Sequence, residues 1–418
     1  MILSEKRILE WVEKHIYYLY IIAITIVSIA IRYGFRDFVS GDMVGFLLPW
    51  YEVIDANGGI NSLQEQVGDY NLLYQTIIAF FTYLPLDAIY KYKILSGIFD
   101  YLLAAVAGYF IYDISKENKV RNGLLAYTIV CLSPLVFLNS ACWGQCDSIY
   151  TFFCVASLVL FMKERYGWAF LAYGIAFCFK FQTIFLLPFY LFAYLIKKSF
   201  SILNFLWIPG AMVIVGIPAL IMGREIKDTF LIYLSQTETY TAMFLNYPSF
   251  WRLILVNNQE EIAQMMKMPA ILFTVAALGG LMFVWLRQKA EMEAKTMVYM
   301  AFIVVFTCVL FLPAMHERYG FLYEILSIVL VFLYPKTLGL SLALHILSMR
   351  TYGYFLFDTT IGNYYLMSVV NVIVYVIYVI HFYSIISGTK AVEFCGQGAA
   401  KVRKGEKNEQ KTSTVVNL

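Results

Sequence analysis

Four short segments carry residue types that could do chemistry together. The first is Arg36-Asp-Phe-Val-Ser-Gly-Asp42-Met-Val-Gly-Phe-Leu-Leu-Pro-Trp50. Gly41 permits a tight bend, and an apolar run follows Asp42. A carboxylate at such a turn can accept the proton of a hydroxyl at the border of water and lipid. It could equally cap a helix, a position that Ser and Asp favour. The second segment is Trp143-Gly-Gln-Cys-Asp147. Gln145 and Asp147 could hydrogen-bond a sugar and Trp143 could stack on one; an interfacial Trp beside a capping Asp is the competing reading. The third is Lys180, with Gln182 close behind it, between two apolar runs. A lysine facing a cavity there would hold a phosphate as a point charge, or would pair with Asp100 or Asp147. The fourth is His316-Glu-Arg-Tyr319. Arg318 could grip a phosphate in a bidentate fork, and His316 could donate to a departing phosphate oxygen or to a sugar. The alternative is a structural Glu317–Arg318 pair. Gln236 and Glu238, in the aromatic and polar run Tyr233–Tyr240, are further candidates, Gln236 for a sugar or acceptor.

Other chemistries find little support. The chain contains no G-x-x-x-x-G-K-[ST] and no G-x-G-x-x-G after a strand, so an activated substrate must arrive without a soluble nucleotide site, for instance on a lipid carrier. Asp37 and Asp42 do not form an Asp-x-Asp pair, and the C-x3-C of Cys142 and Cys146 lacks a second ligand pair, so neither a cofactor nor a divalent metal is expected. The seven cysteines read as free thiols. His15, His345 and His381 stand alone in the sequence and take no assigned role. A net charge of +3 points to no nucleic-acid partner.

The elements that must position these residues are membrane helices. Hydrophobic residues make up 61% of the 418 and charged residues 14%, with a mean hydropathy of +0.70. Soluble domains average about 45–50% and about 25%. About 20 apolar residues cross a bilayer as a helix. The expected spans are 16–32, 93–112, 122–141, 148–163, 167–180, 182–196, 202–222, 270–287, 297–314, 319–334, 338–352 and 364–384. The span at 167–180 is short and should stop at a cavity. The first follows a charged segment without a small-residue cleavage site and reads as retained.

Orientation follows from the basic residues. With the N-terminus cytoplasmic, the segments 1–15, 113–121, 163–166, 197–201, 287–296, 335–337 and 385–418 face the cytoplasm. They hold 3, 3, 2, 2, 3, 1 and 6 Lys and Arg, 20 of the 31. That parity requires 71–90 to be a re-entrant or interfacial helix within a long outer loop, 33–92. It divides the chain into a cytoplasmic start (1–15), a membrane module (16–222), an outer loop (223–269), C-terminal membrane helices (270–384) and a basic, disordered cytoplasmic tail (385–418). The polar clusters, with Asp37 and Asp100, then gather on the extracytoplasmic side of a plasma-membrane protein.

Ser40–Trp50, Trp143–Ser148, Lys180-Phe-Gln182 with Pro188, and Met315–Phe321 together resemble the GT-C superfamily of integral-membrane glycosyltransferases, above all bacterial proteins related to the GPI-anchor mannosyltransferases. The resemblance covers about residues 16–335. It implies an all-α polytopic fold of about 12 transmembrane helices with membrane-parallel helices in the first outer loop. It also implies inverting transfer of a mannose-like or glucose-like hexose from a polyprenyl-phosphate donor to a glycan, lipid or protein acceptor. Asp42 matches the loop carboxylate that acts as base, and Lys180 a phosphate-contacting lysine. Where bacterial relatives have Lys-Pro-Gln, this chain has Lys-Phe-Gln. A lipid-linked sugar flippase or transporter, and a surface-glycan polymerase or ligase, remain the alternatives from sequence. Transporters, however, commonly show internal symmetry that is absent here.

Overall fold

The computed structural model describes residues 2–233, 242–255, 258–360 and 362–388. Gln236, Glu238 and most of the tail lie outside the described residues. Every described element is helical. In chain order the helices are α1 (Leu3–Gly34), α2 (Leu48–Ala56), α3 (Leu72–Phe81), α4 (Ala88–Ile114), α5 (Lys119–Leu132), α6 (Pro134–Phe137), α7 (Asp147–Met162), α8 (Tyr166–Phe179), α9 (Leu187–Lys197), α10 (Trp207–Ile221), α11 (Ile226–Phe230), α12 (Trp251–Ile254), α13 (Glu260–Arg287), α14 (Ala294–Phe311), α15 (Phe321–Leu333), α16 (Leu338–Phe357) and α17 (Tyr364–Ile386).

Among the described residues, six segments are long and apolar enough to cross a membrane: α1, α4, 202–221 ending in α10, α13, α14 and α17. A seventh forms if α5 and Pro134–Cys142, bent by 43°, count as one span. The protein is thus a multi-pass membrane protein. The other five expected spans correspond to α7, α8, α9 with its preceding turn, α15 and α16. Of these, α7, α8 and α15 have 16, 14 and 13 residues.

Several boundaries differ from the sequence reading, each for a local reason. The first span does not start at 16, because α1 runs unbroken from Leu3. Its charged first turns are good helix formers, so polarity there does not end the helix. Likewise α4 begins at Ala88 and α13 at Glu260, ahead of their apolar stretches. The segment 71–90 is not one helix: it holds Leu72–Phe81, capped by the Asn71 side chain on the Leu72 N–H at 2.7 Å, and the first three residues of α4. The span 122–141 breaks at Ser133–Pro134, since proline cannot donate to the preceding turn.

The core is built on two helices that are apolar on every side, the pattern of a fully buried helix. All residues from Thr296 to Phe311 of α14 are buried, as are Phe321 to Leu330 of α15. By contrast α1 keeps mostly exposed apolar residues, the surface expected against lipid. Where α4 crosses α5, Gly108 and Gly123 face each other so closely that a Cβ on either would lie 2.9 Å from the other's carbonyl oxygen. Close backbone approach through small residues is how membrane helices gain packing without a hydrophobic drive. Gly108→Val should therefore push α4 and α5 apart and destabilise the protein by about 1–3 kcal/mol. A lowered midpoint of thermal unfolding in detergent checks this, and Gly97→Ala on the same helix, where nothing lies within 4 Å of a Cβ, should change little.

Candidate active site

The chain brings Asp42 to the site by zipping two loops together. Asp42 opens a single π turn, Met43–Leu47, which leads into α2. Ser40 donates to the Trp143 carbonyl at 2.9 Å and accepts from the Met43 N–H at 3.2 Å. Gly144 has φ +78°, and a Cβ there would meet the Met43 methyl at 2.4 Å. The positive φ favours glycine there, while the Met43 methyl, the end of a flexible side chain, could move aside. The Trp143 indole N–H donates to Asp42 Oδ2 at 2.9 Å, and Gln145 Nε2 to the same oxygen at 2.7 Å. Arg318 Nη2 approaches it at 3.4 Å. All three donors converge on Oδ2, and Oδ1 accepts no hydrogen bond from the described residues.

The orientation of the Gln145 amide is settled by its neighbours. Its Oε1 accepts from the Tyr70 hydroxyl at 2.6 Å and from Arg318 Nη1 at 2.7 Å, so the Nε2 end must face Asp42. Tyr70 is one of 33 tyrosines, and nothing in its sequence context marks it. Its burial pushes the phenol well above its usual range, with Cys146 adding and Arg318 opposing. It therefore serves as a donor.

Arg318 sits just ahead of α15, over the Trp143 ring at 5.0 Å. Besides Asp42 it meets Asp147 Oδ2 at 3.5 Å and Glu317 Oε1 at 3.6 Å. Burial alone would lower the guanidinium's affinity for its proton, but Asp147, Tyr70, Asp42 and Glu317 hold it well above the ordinary value. Burial would similarly raise Glu317, yet His316 and Arg318 keep that carboxyl below its usual range. Asp147, the first residue of α7, also takes Lys180 Nζ at 2.5 Å and Asn139 Nδ2 at 2.8 Å. Lys180 follows the end of α8 in an extended conformation, and a 3-10 turn, Phe181–Leu186, carries Gln182.

These groups border a cavity of about 670 Å³. Asp42, Gln145, Lys180, Gln182, His316 and Arg318 line it, together with Asp69, Tyr70, Asn71, Asn246 and Lys267, none of which the sequence reading assigned. The rest of the wall is apolar, including Phe179, Phe185, Ile271, Val275 and Leu278. Within the described residues no group of His, Cys, Asp or Glu is arranged to hold a metal ion.

A glycosyltransferase family 87 profile matches residues 70–313, 244 of the 418. The chain belongs to that family. It is therefore one of the GT-C-like membrane glycosyltransferases, and its function is glycosyl transfer. No curated protein matches the chain. The family match begins at Tyr70 and ends at Pro313, so it contains Gln145, Asp147, Lys180 and Gln182. Asp42 and the His316–Arg318 segment lie outside it, and only the geometry joins them to the rest.

Three expectations need correction for this family member. Trp143 cannot stack on a sugar: it is fully buried, absent from the cavity wall, and packed between Phe355 at 4.7 Å and Tyr352 at 5.0 Å. Asp147 is likewise fully buried behind the wall, because it neutralises two cations there. Asp100 does not join the cluster. It binds Arg32 at 2.7 Å, Ser148 at 2.5 Å and Ser140, tying α1, α4 and α7 together. Asp37 is exposed, held by Arg36 and Tyr90. The six described cysteines are buried and unbonded to one another.

Removing one partner of a buried ion pair leaves an uncompensated charge, at a cost of about 3–5 kcal/mol. Asp147→Asn should accordingly lower folded stability in detergent by that order. Adding Lys180→Met should restore part of it, so the double variant melts higher than the sum of the single effects predicts.

Proposed function

We propose that the protein transfers one hexose, with inversion, from a polyprenyl-phosphate donor to an acceptor hydroxyl outside the cytoplasm, with Asp42 as general base. The observation that carries this reading is the Asp42 carboxylate itself. One oxygen is anchored by Trp143, Gln145 and Arg318, while the other accepts from none of the described residues and belongs to a cavity-lining side chain. That is the arrangement a base requires: fixed in direction, with a lone pair to offer.

In the proposed reaction the acceptor oxygen bonds to the anomeric carbon as its proton passes to Asp42 Oδ1. The bond from that carbon to the phosphate oxygen breaks, and its electron pair leaves on the polyprenyl phosphate. Lys180 donates to Asp147 with one N–H and keeps two for the phosphate. Arg318, whose Nε is buried beside Glu317 at 3.6 Å, adds its fixed positive charge on the same wall. His316, on the same wall, orients the departing phosphate. Fixed cations in a site shielded from water stabilise developing charge more than water would. The reading needs no metal, and the long apolar wall suits a lipid carrier.

A general base contributes about 10²–10⁴-fold. Asp42→Asn keeps the size of the side chain but cannot take the proton. Product formation from polyprenyl-phosphate hexoses in vesicles should fall by that factor, with donor retention unchanged. Asp37→Asn and added chelator should each leave the rate near wild type. Full activity in Asp42→Asn would remove the base.

We further place the site on the extracytoplasmic face of the plasma membrane, with twelve crossings and α3 lying along the membrane. The support is the Lys and Arg asymmetry, since exposed basic residues of short loops stay cytoplasmic. Single cysteines at Ile60 and Asn118, in a Cys395→Ser background, should react with an impermeant maleimide from opposite sides of the cell membrane, position 60 from outside. Labelling of both from one side would overturn the placement.

A further inference from the structure

Gln182 is one of the cavity-wall side chains that make no hydrogen bond to the described residues. It is 9% exposed and lines the cavity, yet its Oε1 has no hydrogen-bond partner, and no described residue accepts from its Nε2. Its neighbours are engaged. The Gln145 amide is held at both ends. Asn71 Oδ1 caps α3, the Tyr233 hydroxyl donates to the Phe177 carbonyl at 2.5 Å, and the Thr274 hydroxyl is turned back on Ala270 at 2.8 Å. The Oε1 end is buried and unpaired, which is unfavourable, and the Nε2 end is the one that a ligand filling the cavity can meet.

The type of group says which part of a ligand that is. Gln182 offers its N–H to an acceptor, and an amide with both ends open, as at Asn246, is best matched by a hydroxyl, which also donates and accepts. A phosphate only accepts, and an isoprenoid chain does neither. The position agrees: Gln182 sits two residues beyond Lys180, on the turn that closes α8. Asn246 is the second such group. It lines the same cavity, its side chain has no hydrogen bond to the described residues, and only its backbone carbonyl accepts, from Tyr364 at 3.5 Å. Its segment is tied to the Arg318 loop by the Ala314 N–H, which donates to the Met243 carbonyl at 2.9 Å.

Resting on the proposed lipid-linked hexose donor, we infer that Gln182, with Asn246, hydrogen-bonds the ring hydroxyls of the transferred hexose and sets which epimer is accepted. These two amides are the specificity-determining groups; Asp42, Lys180 and Arg318 contact only the reacting centre and the phosphate.

The test offers polyprenyl-phosphate mannose, glucose and galactose to wild type, Gln182→Ala, Gln182→Met and Asn246→Ala, and reads the ratio of kcat/KM between hexoses within each variant. That ratio does not depend on how much protein is folded. Wild type should prefer one hexose by at least about tenfold, since a site built to bond a hydroxyl rejects an analogue that misplaces it. Both Gln182 variants should lose about 10–100-fold on the preferred hexose and bring the ratio near one, with a smaller change in the same direction for Asn246→Ala. Where a variant forms no product, retention of the radiolabelled donors in detergent replaces the rate, and equal retention of the three is the expected result. An unchanged preference in both Gln182 variants would overturn the subsite while leaving the donor reading intact. Wild type that uses none of the three hexoses would overturn both.

Discussion

A single buried guanidinium holds the site together. Arg318 reaches Asp42, 276 residues away in sequence, and also Gln145, Asp147 and Glu317. With the Gln145 amide, it brings the first loop, the Trp143–Asp147 turn and the α14–α15 connection to one place. A charge with so little water around it must be surrounded by carboxylates, and those carboxylates must come from several parts of the chain. The folded arrangement of the loops follows from that requirement. It also explains why Asp147 is a partner to cations rather than a ligand to sugar.

The helices serve this cluster by stopping short. Of the apolar helices, α7 starts at Asp147, α8 ends just before Lys180, and α15 starts just after Arg318. Each end leaves backbone groups and side chains projecting into one space that a full-length span would have filled. Adjacent residues at the start of α7 divide the work: Asp147 faces the cation cluster, while Ser148 donates to Asp100 in the Arg32 network. Two connected polar systems thus meet at the start of α7. One, around Asp100, is closed and ties helices together. The other borders the cavity and, among the described residues, leaves Asp42 Oδ1 and the Gln182 amide without a hydrogen-bond partner. Chemistry requires the second kind, and the fully bonded first kind supplies its rigidity.

Much was legible from the sequence because its signals are local. Apolar runs of bilayer length announce an all-helical membrane protein, and charged groups in such a chain are costly enough to mark Asp42, Lys180 and Arg318 as candidates. The broken span at Pro134 was also there to be read. Helix starts were misplaced where charged helix formers extend an apolar run, as at Leu3 and Glu260.

What the sequence by itself determined, then, is the class of fold, the family resemblance and the set of polar segments, since residue type and spacing decide those. The tertiary structure alone decided the direction each side chain faces. Trp143 was turned inward by aromatic packing, and Asp147 by two cations. Tyr70, carrying no motif, was drawn in to fix the Gln145 amide. Which oxygen of Asp42 is anchored, and which amides are left unpaired, depends on partners a hundred or more residues distant, and such pairings leave no trace in local spacing.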